Sequence, residues 1–352
     1  LAHSAAMTAP AASRRDHGRV RIAFTGLVGL VVVSALFGLC AGRFHVPPAR
    51  AFEILWWGLT QPAATVDALD ERIVLLVRLP RIILAMAAGA GLAVAGAALQ
   101  SVFRNPLVSA QVLGISPGAA FGGTLAIALG WWGLALLSMS FAFGLAALAV
   151  VGLLARIDGR TEIVTVILAG LVVGALFGAL VSVIQLMADP NGSLPAIVYW
   201  LMGSFGTATW ERLGLAAPGL ALATLMLIAM RFRLNILSLD EAEARSLGAK
   251  PDRERWIVFL LVTVLVGSQV AVSGVVGWVG LVIPHTARFI VGSDNRRLLP
   301  ACALFGAAFL GLADTLARTV TTTEIPIGIL TALVGAPAFA TLLRQHYKER
   351  HK

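Results

Sequence analysis

The side chains of this sequence that could do chemistry are few and scattered. His285 stands in V-I-P-H-T-A-R three residues ahead of Arg288, and Asp314, Arg318 and Glu324 lie near the ends of apolar runs. A histidine can ligate a metal or a haem iron. The two cysteines, Cys40 and Cys302, and the seven methionines form no ligand cluster with it. Both cysteines fall inside apolar stretches, with neither metal-ligand spacing nor a disulfide pattern, and read as packing residues. No G-x-x-x-x-G-K-[S/T] phosphate loop occurs, so the chain cannot hydrolyse ATP by itself. No set of catalytic polar groups assembles at one membrane face, as a membrane enzyme would need. The expectation is a chain with no catalytic residue, no metal site and no cofactor of its own.

The elements that carry these residues are set by composition. The 352 residues are 58% hydrophobic and 13% charged, too little polar surface for a soluble domain. Apolar runs recur at 21–41, 82–102, 116–130, 132–154, 163–187, 213–231, 256–275, 278–291, 299–319 and 327–344. A run of about 20 residues crosses the ~30 Å hydrocarbon layer as a helix. A barrel would alternate polar and apolar residues, whereas these runs are apolar on every face and rich in Gly and Ala. The fold expected is an all-α integral membrane protein of about ten transmembrane helices, two of them short. It comprises a flexible N-terminal stretch (1–20), one transmembrane domain (21–345) and a tail (346–352). The first apolar run is too long for a signal-peptide core and is expected to be retained. The chain opens on Leu1, with Met7 a candidate start. Glycines at 89, 91 and 96, and at 170, 174 and 178, suit close helix packing, where small residues let backbones approach.

The net charge of +9 reads as basic cytoplasmic loops and not as nucleic-acid binding. With the N-terminus inside, Arg156, Arg160, the Arg231–Arg255 loop, Arg296, Arg297 and the C-terminal tail share its side, so both termini are expected in the cytoplasm. The loop holding Asp189, Asn191 and Tyr199 then faces outward. Residues 43–81 are the exception, an outer segment with five arginines offset by four acids. An ion-coupled transporter keeps carboxylates or histidines deep in the membrane, and the second to seventh spans are almost free of them. Energy must come from elsewhere.

Three long blocks are distinctive. Residues 78–118 begin R-L-P-R-I-I-L-A and continue through Q-S-V-F-R-N-P-L; residues 274–300 contain G-W-V-G-L-V-I-P-H-T-A-R; residues 313–343 contain A-D-T-L-A-R and E-I-P-I-G-I-L-T-A-L-V-G-A-P-A-F. Together they resemble the permease subunits of the bacterial importers for iron-siderophores, haem and cobalamin, over about residues 20–345. The resemblance implies a ten-helix, inner-membrane subunit that forms a homodimer with the substrate path between the copies. It also implies two cytoplasmic ATP-binding-cassette ATPases, which use ATP and Mg, and a periplasmic or lipid-anchored substrate-binding protein.

The same resemblance implies the site residues. Within L-N-I-L-S-L-D-E-A-E-A-R-S-L-G-A-K, residues Leu239, Asp240, Glu241, Glu243, Arg245, Leu247 and Gly248 correspond to the ATPase-coupling region. Sequence adds that the acids sit on a short amphipathic helix that Gly248 can terminate. Arg78, Arg81 and Arg318 correspond to arginines that meet acids on the binding protein, and the charge-derived topology puts all three outside. Asn105, Pro106 and Leu107 correspond to part of the cytoplasmic gate. The second gate loop, I-D-G-R-T-E-I-V, departs from the cobalamin relative, with Ile163 and Val164 where small hydroxyl residues would fall. Tyr199, Trp200 and Trp210 are candidates for the interfacial aromatic belt or a ligand entrance. His285 belongs to a block shared across different cargoes, which points to a structural or inner-gate role. The expected cargo is a ferric siderophore or haem, with cobalamin or molybdate as the alternative and ion-coupled transport as the alternative class.

Overall fold

The structure, a computed structural model, describes residues 9–60, 68–157, 160–161 and 163–350. Helix α1 (Ala9–Cys40) leads to α2 (Pro48–Thr60) and then to one continuous rod. That rod comprises α3 (Leu69–Arg72), a π-helical stretch (Ile73–Arg78) and α4 (Leu79–Phe103). Next come α5 (Ile115–Ala128), α6 (Leu134–Ala155), α7 (Ile163–Met187), α8 (Ser193–Leu201) and α9 (Trp210–Ala229). Short α10 (Arg231–Leu237) and α11 (Glu241–Ser246) precede α12 (Pro251–Ser273), α13 (Val279–Val291), α14 (Asn295–Thr319) and α15 (Ile327–Arg350). Among the described residues the only β-pairing is a two-residue antiparallel ladder, Arg156–Ile157 with Arg160–Thr161.

Among the described residues, seven helices are long and apolar enough to cross a membrane, and three shorter apolar ones, Ile115–Ala128, Val279–Val291 and Ile327–Thr341, make up the ten. Of the N-terminal stretch expected to be flexible, residues 1–8 lie outside the described residues, and from Ala9 the chain is helical. The tail is likewise helical to Arg350, with 351–352 outside the described residues. Helix α2 was not expected: its Ala51 and Ile54 bury against Val46 and Val74 while Phe52 and Trp56 stay exposed, and 13 residues fall short of the spanning length that marks a membrane helix.

α4, α12 and α14 form the enclosed centre. What allows this is the absence of Cβ atoms where backbones meet. A Cβ at Gly89 would stand 2.2 Å from the Gly306 carbonyl oxygen of α14, and one at Gly96 would stand 1.9 Å from that of Gly280 in α13. In α7, Gly170 is as tight, 2.2 Å from the Val112 carbonyl, but Gly178 has nothing within 4 Å. The expected four-residue packing face therefore stops after Gly174. α4 runs antiparallel to α1 and α14, so Cys40, Arg81 and Arg318 share one end of the bundle. Arg104, Asp240 and Asn295 share the other. We call these ends outer and inner, after the distribution of basic residues. The first helix starts and the last one finishes at the inner end.

Replacing Gly96 with Val should force α4 off α13 at a cost of about 3 kcal/mol or more, seen as a large fall in the thermal midpoint in detergent. Gly214→Ala in α9, where nothing lies within 4 Å, should leave that midpoint unchanged.

Candidate coupling face and outer arginine cluster

At the inner end, α11 is a single exposed knob. Its stop is a Schellman motif: the amide of Ala249 donates to the carbonyl of Ala244 (3.1 Å), and that of Gly248 to Arg245 (3.0 Å), with Gly248 at φ +78°. Gly248 thus terminates the helix, as its place in the sequence suggests. Ala244 and Ala249 bury beneath the knob, while Glu243, Arg245 and the apolar Leu239 and Leu247 face outward. The knob is tied down by charge. Glu241 pairs with Arg245 and with buried Arg255 (3.7 Å), and Arg245 also reaches Asp252 (3.6 Å).

Asp240 stands at the N-cap of α11 but does not cap it. Its carboxylate accepts instead from Arg104, the residue that ends α4. Arg104 is left-handed (φ 51°), and the amides of Arg104 and Asn105 donate to the carbonyls of Ser101 and Gln100. This is again a Schellman stop, with an arginine where glycine is usual. Directly after it, Asn105 Oδ1 accepts from the Leu107 amide (2.9 Å), an Asx turn across Pro106 that leaves Leu107 exposed. The expected gate turn and the expected coupling segment are therefore joined by Arg104. Sequence reasoning missed this residue, because nothing local marks an arginine for a partner 136 residues away.

A second inner network lies beneath. Ser101 Oγ donates to Asn295 Oδ1 (2.9 Å), the Asn295 amide to Asn235 Oδ1 (2.9 Å), and Asn235 Nδ2 to Asp294 (2.7 Å). It links α4, α10 and the start of α14. The Arg296 guanidinium, then the Asn235 amide and the Arg296 backbone, hold the Asp294 carboxyl well below the usual carboxylate range. Asp294 thus supports the folded state above its unfolded pKa and loses that support on strong acidification.

The outer arginines are arranged differently from expectation. Arg78, Arg81 and Arg318 do lie together at the outer end, but they are 4%, 6% and 8% exposed. They do not present free charge. Arg78 donates to the carbonyls of Leu39 (2.6 Å), Cys40 (3.1 Å) and Phe44, and Arg318 to those of Ala41 (2.7 Å) and Gly38. The Gly38, Leu39 and Cys40 oxygens are ones the end of α1 leaves without helical partners, those of Ala41 and Phe44 belong to the loop that follows it, and two cations suit a helix C-terminus. Arg81 forks onto Asp314 (2.9–3.1 Å) and Glu324 (3.0–3.1 Å). Asp314 is 1% exposed; Glu324, about one-third exposed, is where the cluster reaches the surface.

Around it the outer loops are zipped by backbone. Ser204 donates to Ser273 (2.8 Å), Ile327 to Gly203 (2.9 Å) and Gly328 to Met202 (3.0 Å). Trp210 is more than a belt residue: its indole donates to the Leu75 carbonyl inside the π-helical stretch (2.8 Å). Trp200 packs on Gly123. His285 makes edge contacts with Phe289 and Phe339. In the second gate loop, residues 158, 159 and 162 lie outside the described residues; Val164 is exposed.

The FecCD transport family matches residues 30–345 of this sequence. The chain belongs to the FecCD transport family. It is a multi-pass ABC importer permease of that type, built for membrane transport rather than catalysis. Among relatives of this FecCD permease, the molybdate import system permease protein MolB of Haemophilus influenzae is 44% identical over 318 residues, covering 90% of this chain and 94% of that one. The hemin transport system permease protein HmuU of Yersinia pestis is 39% identical, covering 95% and 99%. A solved inward-facing structure of a putative metal-chelate type ABC transporter superposes with a TM-score of 0.83 at 42% identity, covering 92% of this chain and 99% of that one.

Asp314→Ala should leave Arg81 as a poorly compensated buried charge and cost about 3–5 kcal/mol, lowering the thermal midpoint of the purified permease. The double variant Arg81→Met, Asp314→Leu should recover a good part of that loss.

Proposed function

We propose that this permease works as a homodimer, driven by two cytoplasmic ABC ATPases that use ATP and Mg, and loaded by a substrate-binding protein at the outer face. The observation that carries this reading is the exposed α11 knob: acidic Asp240 and Glu243 flanked by bare Leu239 and Leu247, on a helix too short to stand without a partner below it. A short amphipathic helix with exposed apolar flanks suits a groove in another protein. Its ties to Arg104 supply a route from that groove to the Asn105–Leu107 turn. The homodimer is supported by the closed centre of the single chain. With α4 in backbone contact with α13 and α14, a bulky cargo has no room there and must pass between copies.

The outer face around Arg78, Arg81 and Arg318 receives the binding protein. The arginines act there by holding its shape, and Glu324 with the loops beside it supplies the contact. Localisation in the bacterial inner membrane, with both termini cytoplasmic, accords with the inner-end arginines under the positive-inside rule.

The cargo is a metal-bearing chelate or anion. Our first reading is a ferric siderophore or haem. Molybdate is the second, favoured by the 44% identity to a molybdate permease. Cobalamin stands behind both. Cells with and without this gene, given labelled ferric siderophore, haem, cobalamin and molybdate, should differ in the uptake of one label. That uptake should stop on ATP depletion and survive an uncoupler while ATP is held constant. Uptake that tracks the ion gradient instead would defeat the importer mechanism. Glu243→Lys should abolish co-purification of the ATPase and transport while leaving membrane insertion intact. Survival of both would show that α11 is not the coupling element.

A further inference from the structure

Helix α12 is buried along its length except for one stripe. Leu260 is 49% exposed and Val264 half-buried, and both lie on the side that leads to Ala271 near the helix end. α6 covers one flank of the stripe, with Phe141 against Gly267. α9 covers the other, with Gly219 against Ser268 and at the edge of Val264. The stripe is thus the floor of a groove walled by two membrane helices. Towards the inner end it widens into an open, apolar space of about 460 Å³ beside Leu148, Gly152 and Trp256. At the outer end it meets a cavity of about 160 Å³ lined by Trp132, Tyr199, Trp200, Ser204, Thr207 and Arg212.

That outer cavity has a polar rim on an apolar bowl. Arg212 sits in the first turn of α9, and its guanidinium makes no hydrogen bond or ion pair with the described residues. The buried arginines of the outer cluster, by contrast, are all held by carbonyls or carboxylates. The Ser204 hydroxyl accepts from the Gly206 amide (3.0 Å) and so keeps its proton to donate. A cation, two hydroxyls and the positive end of a helix dipole select an anion with several oxygens. Trp132 and Tyr199, half-exposed beside them, are amphipathic rings of the kind that sit at headgroup level.

We propose that this is a binding site for a phospholipid of the outer leaflet. Arg212, Ser204 and Thr207 receive the headgroup phosphate. Trp132 and Tyr199 border the glycerol region, and an acyl chain lies along α12 between α6 and α9. The dimensions agree: from Ala271 to Leu260 the helix rises about 16 Å, close to half of the ~30 Å hydrocarbon layer. A free anion would meet the polar rim but leave the groove empty. The lipid satisfies both, and it cements the start of α9, whose Trp210 holds the π-helical stretch, to the end of α12.

The test uses the full chain purified in detergent micelles and washed extensively. Phospholipid retained per chain is measured by mass spectrometry, and tryptophan fluorescence is quenched with phospholipids brominated along the acyl chain. The wild-type chain should retain a stoichiometric phospholipid and be quenched. Arg212→Gln should weaken retention about tenfold, the loss of one charge-assisted hydrogen bond, and Arg212→Lys should restore most of it. Should Arg212→Gln not purify, Thr207→Val at the rim should show a smaller loss in the same direction. Equal retention in wild type and Arg212→Gln overturns the proposal. So does complete displacement of the lipid by inorganic phosphate, which would make this a free-anion site. Protection of the site from brominated lipid by an added substrate-binding protein, with no lipid retained before its addition, overturns it in favour of a protein contact.

Discussion

Helix α4 comes within backbone contact of two other helices, and the rest of the molecule is arranged around that approach. Lipid gives helices no hydrophobic reason to associate, so close packing has to come from surfaces that fit. Gly89 against Gly306 and Gly96 against Gly280 remove the side chains that would hold α4 away. Once α4 is seated, its two ends are fixed relative to α14. At one end Arg81 falls within reach of Asp314, and at the other Ser101 meets Asn295. The chemistry at both faces thus descends from four residues that have no side chain at all.

The two ends differ in how firmly they are held. At the outer end the ion pairs are buried, and breaking one would strand a charge away from water. At the inner end the pairs of Arg104 with Asp240, and of Arg245 with Glu241, are exposed. Such pairs contribute roughly 0–1 kcal/mol each and can exchange partners at little cost. A coupling element has to respond to another protein, whereas a docking surface has to keep its shape. The distribution of burial suits the roles proposed for the two ends.

Most of the fold could be read from sequence because apolar runs of spanning length are a strong signal, and each of the ten expected runs coincides with an apolar helix among the described residues. The segments that escaped are those whose order depends on distant partners. α2 is ordered by burying Ala51 and Ile54 against Val74, not by its own length. Helix α11 and its glycine stop were legible, since an acidic amphipathic turn closed by Gly248 is a local pattern. The state of Arg78, Arg81 and Arg318 was not. An arginine at a membrane boundary can snorkel outward or turn inward, and its own neighbours look alike in both cases. What decides is whether a carboxylate or a helix end waits nearby, and Asp314 is 233 residues from Arg81.

The π-helical stretch at Ile73–Arg78 acts as a phase adjuster. One residue more than an α-helical turn would hold is accommodated there, which rotates α3 by about 100° relative to α4. Asp70 and Glu71 can therefore face α2 and bind Arg50 (2.7 and 3.2 Å), while Arg81 on the same rod faces α14. The loosened turn also leaves the Leu75 carbonyl available to Trp210, so a third helix reads the same irregularity. One added residue thus sets the angular register among α2, α9 and α14, and a one-residue change of length there would act on the whole outer face at once.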